Sequence, residues 1–401
     1  MPALLAGGSG TQRLTVHELL TQFGPQYLEQ FGSAMPVRQR QVLQRILRCR
    51  TPALGGELFG CPDCPGQFHY RYHSCNDRHC PLCGATDADH WLEQQRQRLL
   101  LPVPYFLVTF TLPDPLRSWI RSHPQLGYEI LFEASAQALQ DLAANPRRLG
   151  AQLGMLGILH TWSRTLIFHP HIHYLVPGGG LSPDQRQWIP SSPKYLVHEK
   201  SLALHFRTLF GQHLEKQAPE ALHNLPAKIW KQPWGVDCEA AGSGENALAY
   251  LARYVFKTAT GNRSLEVLPS GKILWPYRNS NTGKFESIPL DTTEFIRRFL
   301  QHILPKGFCR VRLFGWLHPA GKVRGNRVRA LLKEAPLLTP QEHQTWQQIH
   351  EVRIDFEAAQ HSPEAALERQ PVCRCCGRPM LRLGSLPRLP ISSGPTRPRA
   401  P

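Results

Sequence analysis

HPHIHYLVPGGG, residues 169–180, is the stretch on which the fold turns. His169, His171 and His173 alternate, so in an extended strand all three point to one side. Ile172 and Tyr174 point to the other side, towards a core. Neutral imidazoles side by side can hold Mg²⁺ or Mn²⁺ while leaving positions open for phosphate oxygens, and imidazole suits Mn²⁺ better than Mg²⁺. The Gly178-Gly179-Gly180 run that follows reads as a turn that a backbone or a phosphate can approach closely. The competing reading is a polar strand face whose histidines are satisfied by hydrogen bonds.

Working outward, YFLVTFTLP (105–113) is aromatic and β-branched, and MLGILHTWSRTLIF (155–168) alternates, so both read as strands. Residues 114–144 are helical with a break near Pro124, and helices are expected over 198–216 and 245–257. SLEVLPSGKILWPYRN is a hairpin around Pro269–Gly271, TTEFIRRFLQHIL a helix and GFCRVRLFGWL a strand. Residues 102–317 therefore read as an α/β sandwich on an antiparallel sheet. Neither GxGxxG nor GxxxxGK[ST] occurs, so a nucleotide-driven motor is unsupported.

A metal site that cuts needs a nucleophile. In ENALAYLARYVFK (245–257), Tyr250 and Tyr254 lie four residues apart and share a helix face, with Arg253 and Lys257 beside them to offset phosphate charge. A buried aromatic stripe is the alternative. A phenol is protonated at neutral pH and attacks phosphorus only when its site eases deprotonation.

Ahead of these elements, residues 13–50 read as helical and residues 55–85 as a cysteine-rich module. Cys61-x2-Cys64 and Cys80-x2-Cys83 each offer one edge of a zinc tetrahedron, and the 15 residues between them close an ordinary loop. Those four are expected to form one structural Zn²⁺ site, with Cys75, His73 and His79 as additional ligands that could replace one member or hold a second ion. Four thiolates leave no open coordination position. The CRCC run at 373–376 has three thiols and would need a fourth ligand from elsewhere.

The chain has 401 residues and a formal charge of +16, which favours an anionic partner such as nucleic acid. Ten Lys or Arg and no acid lie between Phe295 and Lys333, and seven Arg and no acid from Arg369 onward, which reads as phosphate-contacting surface. Eleven clustered cysteines suit metal binding in a reducing cytoplasm better than disulfides. No run of 18 apolar residues and no signal peptide is visible, so neither a membrane span nor secretion is expected.

The blocks CPDC and SCNDRHCPLCG, LHTWSRTLIFHPHIHYLVPGGGL, GSGENALAYLARYVFKT and EFIRRFLQHILPKGFCRVRLFGWLHP, across residues 20–320, resemble one family in content and order. It is the tyrosine HUH transposases of bacterial rolling-circle insertion sequences, the IS91 group, with their N-terminal zinc-binding domain. The resemblance implies an α+β fold: an HUH endonuclease-like antiparallel sheet with packed helices, plus a small helical and zinc-binding N-terminal domain. It puts the metal-binding His-hydrophobe-His on His171-Ile172-His173, with His169 completing the extended form, and the paired nucleophiles on Tyr250 and Tyr254; it also implies a third metal ligand, for which Glu245, Asn246, His160 and His169 are rivals. It further implies cleavage and transfer of single-stranded DNA, at element ends and target site, through a 5′-phosphotyrosine. A rolling-circle replication initiator or relaxase would share that chemistry; a non-catalytic zinc DNA-binding protein would not.

The expected division is a helical and zinc-binding domain over 1–100, a catalytic domain over 101–320, a helical extension with the cysteine cluster over 321–377, and a disordered basic tail over 378–401. The protein is expected in the cytoplasm, on the nucleoid when bound to DNA.

Overall fold

A computed structural model of the chain describes residues 12–83, 92, 93, 95, 96, 99–256, 259–279, 282–333 and 370–389, and the side chains of 253–256 fall outside that description. In chain order the strands are β1 (Gln12–Thr15), β2 (Gly56–Gly60), β3 (Phe68–Tyr72), β4 (Tyr105–Thr111), β5 (Gly154–Trp162), β6 (Phe168–Pro177), β7 (Gly179–Leu181), β8 (Trp188–Pro190), β9 (Gly235–Ala240), β10 (Ser264–Val267), β11 (Lys272–Arg278), β12 (Phe285–Asp291), β13 (Val311–Gly315) and β14 (Leu381–Leu386). The fold is mixed α/β with several antiparallel sheets and packed helices.

The central sheet runs β13-β5-β6-β4-β9 and is antiparallel throughout, with the histidine strand β6 in its middle. Period-two alternation sorts the side chains. Phe106, Val108, Phe110, Ile172, Tyr174 and Val176 are buried on one face, in a cluster with Phe132, Leu139, Phe206 and Phe210 from the helices Pro124–Ala144 and Glu199–Gln217. Each fully buried side chain of this size contributes about 1.5–3 kcal/mol. Pro124 opens its helix, where its missing N–H costs nothing, and so divides it from the helix Asp114–Ser122. Leu156, Ile158 and Leu175 face the other way and pack under Leu248 and Leu251 of the helix Glu245–Phe256.

A second cluster joins the N-terminal helices Val16–Phe31 and Val37–Arg48 to the sheet β1-β10-β11-β12 and the helix Thr292–Gln301. Thr15 and Glu18 form a reciprocal capping box at the start of the first helix. Residues 13–15, the start of the segment expected to be helical, instead belong to β1, which pairs with 264–267. The segment expected to be helical over 87–99 lies largely outside the described residues.

One further expectation is narrowed and one corrected. Backbone, the first of the two partners expected for Gly178–Gly180, is what approaches the run closely. Gly178 donates to Pro104 O (2.6 Å), and a Cβ on Gly180 would meet Gln152 O at 2.5 Å, so the run serves close backbone packing into β7. The tail is not unstructured from 378: Leu381–Leu386 forms β14 on β2, giving the sheet β14-β2-β3. Among the described residues no helix is long and apolar enough to cross a membrane.

Candidate metal and nucleophile site

Three imidazoles converge on the face of the central sheet that carries the helix Glu245–Phe256. His160 of β5 stands opposite His171 of β6 in the ladder, and His173 follows two residues along. One ring nitrogen from each of His160, His171 and His173 lies within 4.8 Å of the others. His169 is not in this group. The ladder pairs His160 with His171 but Trp162 with Phe168, so β6 carries one extra residue at His169–Pro170. Pro170 has no N–H to give the ladder, and the bulge lies between Phe168 and His171. His160, one of several rivals in the sequence, stands in this group, and the His169 ring lies 5.0 Å from that of His171.

All of these rings are held neutral. Burial lowers His171 and His169 to about 4 and His173 to about 3, helped for the last by the neighbouring imidazoles. Burial and the same neighbours put His160 well below its usual value. His171 Nδ1 sits 2.6 Å from His169 O, a carbonyl that can only accept, so Nδ1 carries the proton and Nε2 keeps its lone pair. His173 Nδ1 is 2.8 Å from Thr109 Oγ1 on the adjacent β4. Such outer hydrogen bonds are how metal-binding imidazoles are oriented.

Tyr250 lies 6.1 Å from His173, ring centroid to centroid, and is 39% exposed. Its helix starts where Gly244, at φ +81, turns against the Tyr105 ring; a Cβ there would come within 2.7 Å of that ring. Tyr254 is on the same helix, but its side chain lies outside the described residues, as do the side chain of Arg253 and the whole of Lys257. Glu245 pairs with Arg96 at 3.1 Å and does not join the three histidines. Beside the start of β6, a cavity of about 380 Å³ is lined by Arg117, Arg121, Arg297, Arg298 and Phe168.

The basic block between Phe295 and Lys333 is only partly surface. Arg297 and Arg298 pair with Glu294, Arg312 lies over the Phe132 and Phe308 rings, and Arg310 is half-buried over Trp162, where desolvation lowers its pKa to about 9.

The cysteines grouped by spacing do not form one site. Cys80 and Cys83 meet Cys49 and Cys75, whereas Cys61 and Cys64 meet Cys373 and Cys376. Cys61 and Cys64 sit at the turn of the β2–β3 hairpin and Cys80 and Cys83 beyond its far end, and five residues of strand span roughly 17 Å. In the first cluster, Cys83 Sγ lies 3.3 Å from Cys49 Sγ and 3.7 Å from Cys75 Sγ. These separations are too long for a disulfide and close to the edge, roughly 3.8 Å, of a tetrahedron built on 2.3 Å zinc–sulfur bonds. It is a four-cysteine cluster of the structural zinc kind. Cys49 stood alone in the sequence, and its only local signal was its place at the end of a helix.

Comparison with known proteins matches residues 154–325 to a family described as "Putative transposase" and residues 19–112 to one described as "Transposase zinc-binding domain". The "Putative transposase y4qJ" of Sinorhizobium fredii is 37% identical over 332 residues, 78% of this chain and 81% of that protein. The "Transposase for insertion sequence element IS801" of Pseudomonas savastanoi pv. phaseolicola is 29% identical over 316 residues, 75% of each chain. No solved structure matches. The first family takes in the histidine strand and the tyrosine helix, the second the cluster of Cys49, Cys75, Cys80 and Cys83. The chain therefore belongs to the IS91-type transposases that carry an N-terminal zinc-binding domain.

Proposed function

We propose that this transposase cuts and rejoins single-stranded DNA at the ends of its element and at a target site, with Tyr250 as nucleophile and a divalent cation held by His160, His171 and His173. The observation that carries this reading is the half-exposed Tyr250 ring beside His173. The donor set fits such an ion. Three neutral imidazoles offer lone pairs, and with no carboxylate in the group they suit Mn²⁺ better than Mg²⁺. When bound, the cation draws the scissile phosphate and offsets charge that develops on it. The HUH reading is supported by the histidine pair on the middle strand of a five-stranded antiparallel sheet, with the tyrosine on a helix across that face. On this reading the catalytic body is residues 101–320.

The chain's own residues do the rest. Tyr250 Oη attacks phosphorus and loses its proton to solvent. The bond from phosphorus to the 3′ oxygen breaks, and that oxygen takes up a proton to leave a free 3′-hydroxyl. The 5′ side stays on Tyr250 as a phosphotyrosine. In strand transfer a 3′-hydroxyl attacks that phosphorus and the phenol regains its proton. One phosphodiester replaces another, so no nucleotide triphosphate is consumed. Tyr254, one helical turn further on, is the second nucleophile of a two-cut cycle. Arg117 and Arg121 hold the strand as it passes the bulge at His169.

The test is a covalent adduct. The protein is incubated with single strands carrying the element's termini, read from the flanking DNA, plus Mn²⁺ or Mg²⁺. Tyr250→Phe should remove the adduct and Tyr254→Phe should leave the first cleavage in place. An adduct that survives in Tyr250→Phe would overturn the assignment.

A further inference from the structure

We infer that Cys61, Cys64, Cys373 and Cys376 hold a second structural zinc ion, which clasps residues 370–389 onto the N-terminal hairpin. The four Sγ atoms lie within 4.8 Å of one another, and Cys61 and Cys376, 315 residues apart, bring theirs to 3.5 Å. That is far beyond the roughly 2.05 Å of a disulfide and near the tetrahedral edge expected around zinc. The site shares no ligand with the cluster of Cys49, Cys75, Cys80 and Cys83.

The two halves are built alike although they come from opposite ends of the chain. Each is a Cys-x2-Cys turn closed by a glycine at positive φ, Gly66 at +85 and Gly377 at +72. In the first, Cys61 N–H donates to Gln67 O (3.1 Å) and Gln67 N–H to Cys64 O (3.1 Å). In the second, Cys373 N–H donates to Arg378 O (2.8 Å) and Gly377 N–H to Cys373 O (2.8 Å). Two such turns face to face supply four thiolates and leave the exposed Cys375 outside the ligand set.

The apolar contacts here are too few to hold the segment. The buried cluster is Phe59, Cys61, Cys373 and Met380, with Cys64 against it. Two ion pairs, Arg382 with Glu57 at 2.9 Å and Arg378 with Asp63 at 3.1 Å, are solvent-accessible and weak. A metal cross-link over so long a loop removes much chain entropy from the open state. The same segment brings Arg388 to a cavity of about 470 Å³ with Arg45, Arg48 and Asn76, so the clasp also fixes one wall of a basic hollow.

The test counts thiolate-bound metal in the full-length chain. Co²⁺ replaces zinc, and the near-ultraviolet sulfur-to-cobalt band, which a histidine site does not give, is read per protein. Eight cobalt–thiolate bonds are expected, falling twofold in Cys373→Ser/Cys376→Ser and unchanged in Cys375→Ser. The wild-type intensity stands alone if the double variant fails to fold. A wild-type band worth four bonds, or a double variant with the wild-type band, would overturn the clasp.

Discussion

His160 and His171 face each other across the β5–β6 ladder with ring centroids 5.2 Å apart, although ten residues and a tight turn separate them in the chain. His160 groups with His171 and His173, ring nitrogens within 4.8 Å of one another, while the His169 ring lies 5.0 Å from that of His171; we propose His160 as the third ligand. Replacing His160 with Ala should weaken Mn²⁺ binding by more than about 100-fold, beyond what loss of an outer-shell partner costs. His169→Ala should stay close to wild type. Calorimetric titration of each variant with Mn²⁺ decides between them; equal losses would return His169 to the ligand set.

Thr109 reaches the same centre indirectly, through its hydroxyl on His173 Nδ1. Thr109→Val keeps the shape and removes the hydrogen bond. Metal affinity should fall about 10- to 100-fold, and Thr109→Ser should restore it. If Val and Ser variants bind Mn²⁺ equally, the hydroxyl does not orient the ring.

Arg121 lines the cavity beside the start of β6 on the exposed surface of its helix. Its loss should lower single-strand affinity and reduce the slope of log K against log salt by about 0.7, the share of one phosphate contact. An unchanged slope in filter binding across a salt series would remove this surface from the strand's path.

His302 is buried between Thr161 and Leu166 O, and burial lowers its pKa to about 4. The unfolded chain takes up its proton near 6.5, so the folded state binds fewer protons between the two values. The stability from the neutral ring is therefore complete above about pH 6.5 and is lost as pH falls towards 4, by about 3 kcal/mol at the limit. Denaturation of wild type and His302→Gln at pH 7 and pH 4.5 checks this: the variant should show the shallower dependence.

Asp77 holds three elements together. It accepts from His79 N (3.0 Å) and Nδ1 (2.9 Å), and it pairs with Arg38 and Arg45 from the helix Val37–Arg48. His79 Nε2 in turn accepts from Leu304 N–H at 3.1 Å. Burial opposes the carboxylate's charge, but His79 and Arg38 outweigh it and hold its pKa down to about 2. Asp77→Ala leaves the buried N–H groups of His79 unmatched and should cost about 1–3 kcal/mol, with Asp77→Asn in between. A chemical denaturation midpoint within error of wild type would contradict this.

Much of the centre was legible because its signals are local. Alternation placed Ile172 and Tyr174 in the core, and four-residue spacing placed Tyr250 on its helix face. What failed was non-local. The bulge at Pro170 depends on the register against β5, and no period reveals it. Cys61 and Cys64 seemed to belong with Cys80 and Cys83 because spacing counts only nearby residues, whereas their partners are Cys373 and Cys376. The short β1 read as part of a helix because its partner, residues 264–267, is remote. Tertiary pairing overrides local propensity most easily in segments this short.

The small sheet has a timetable. Its middle strand β2 borders β3 on one side, made at once, and β14 on the other. The cysteines beside these strands are 315 residues apart, so a ribosome adding about 5–20 residues per second leaves that edge of β2 bare for roughly 15–60 s. An unpaired edge invites strands from other chains. Nascent chains stalled before residue 370 should therefore be cut by protease within 56–83, where released full-length chains resist.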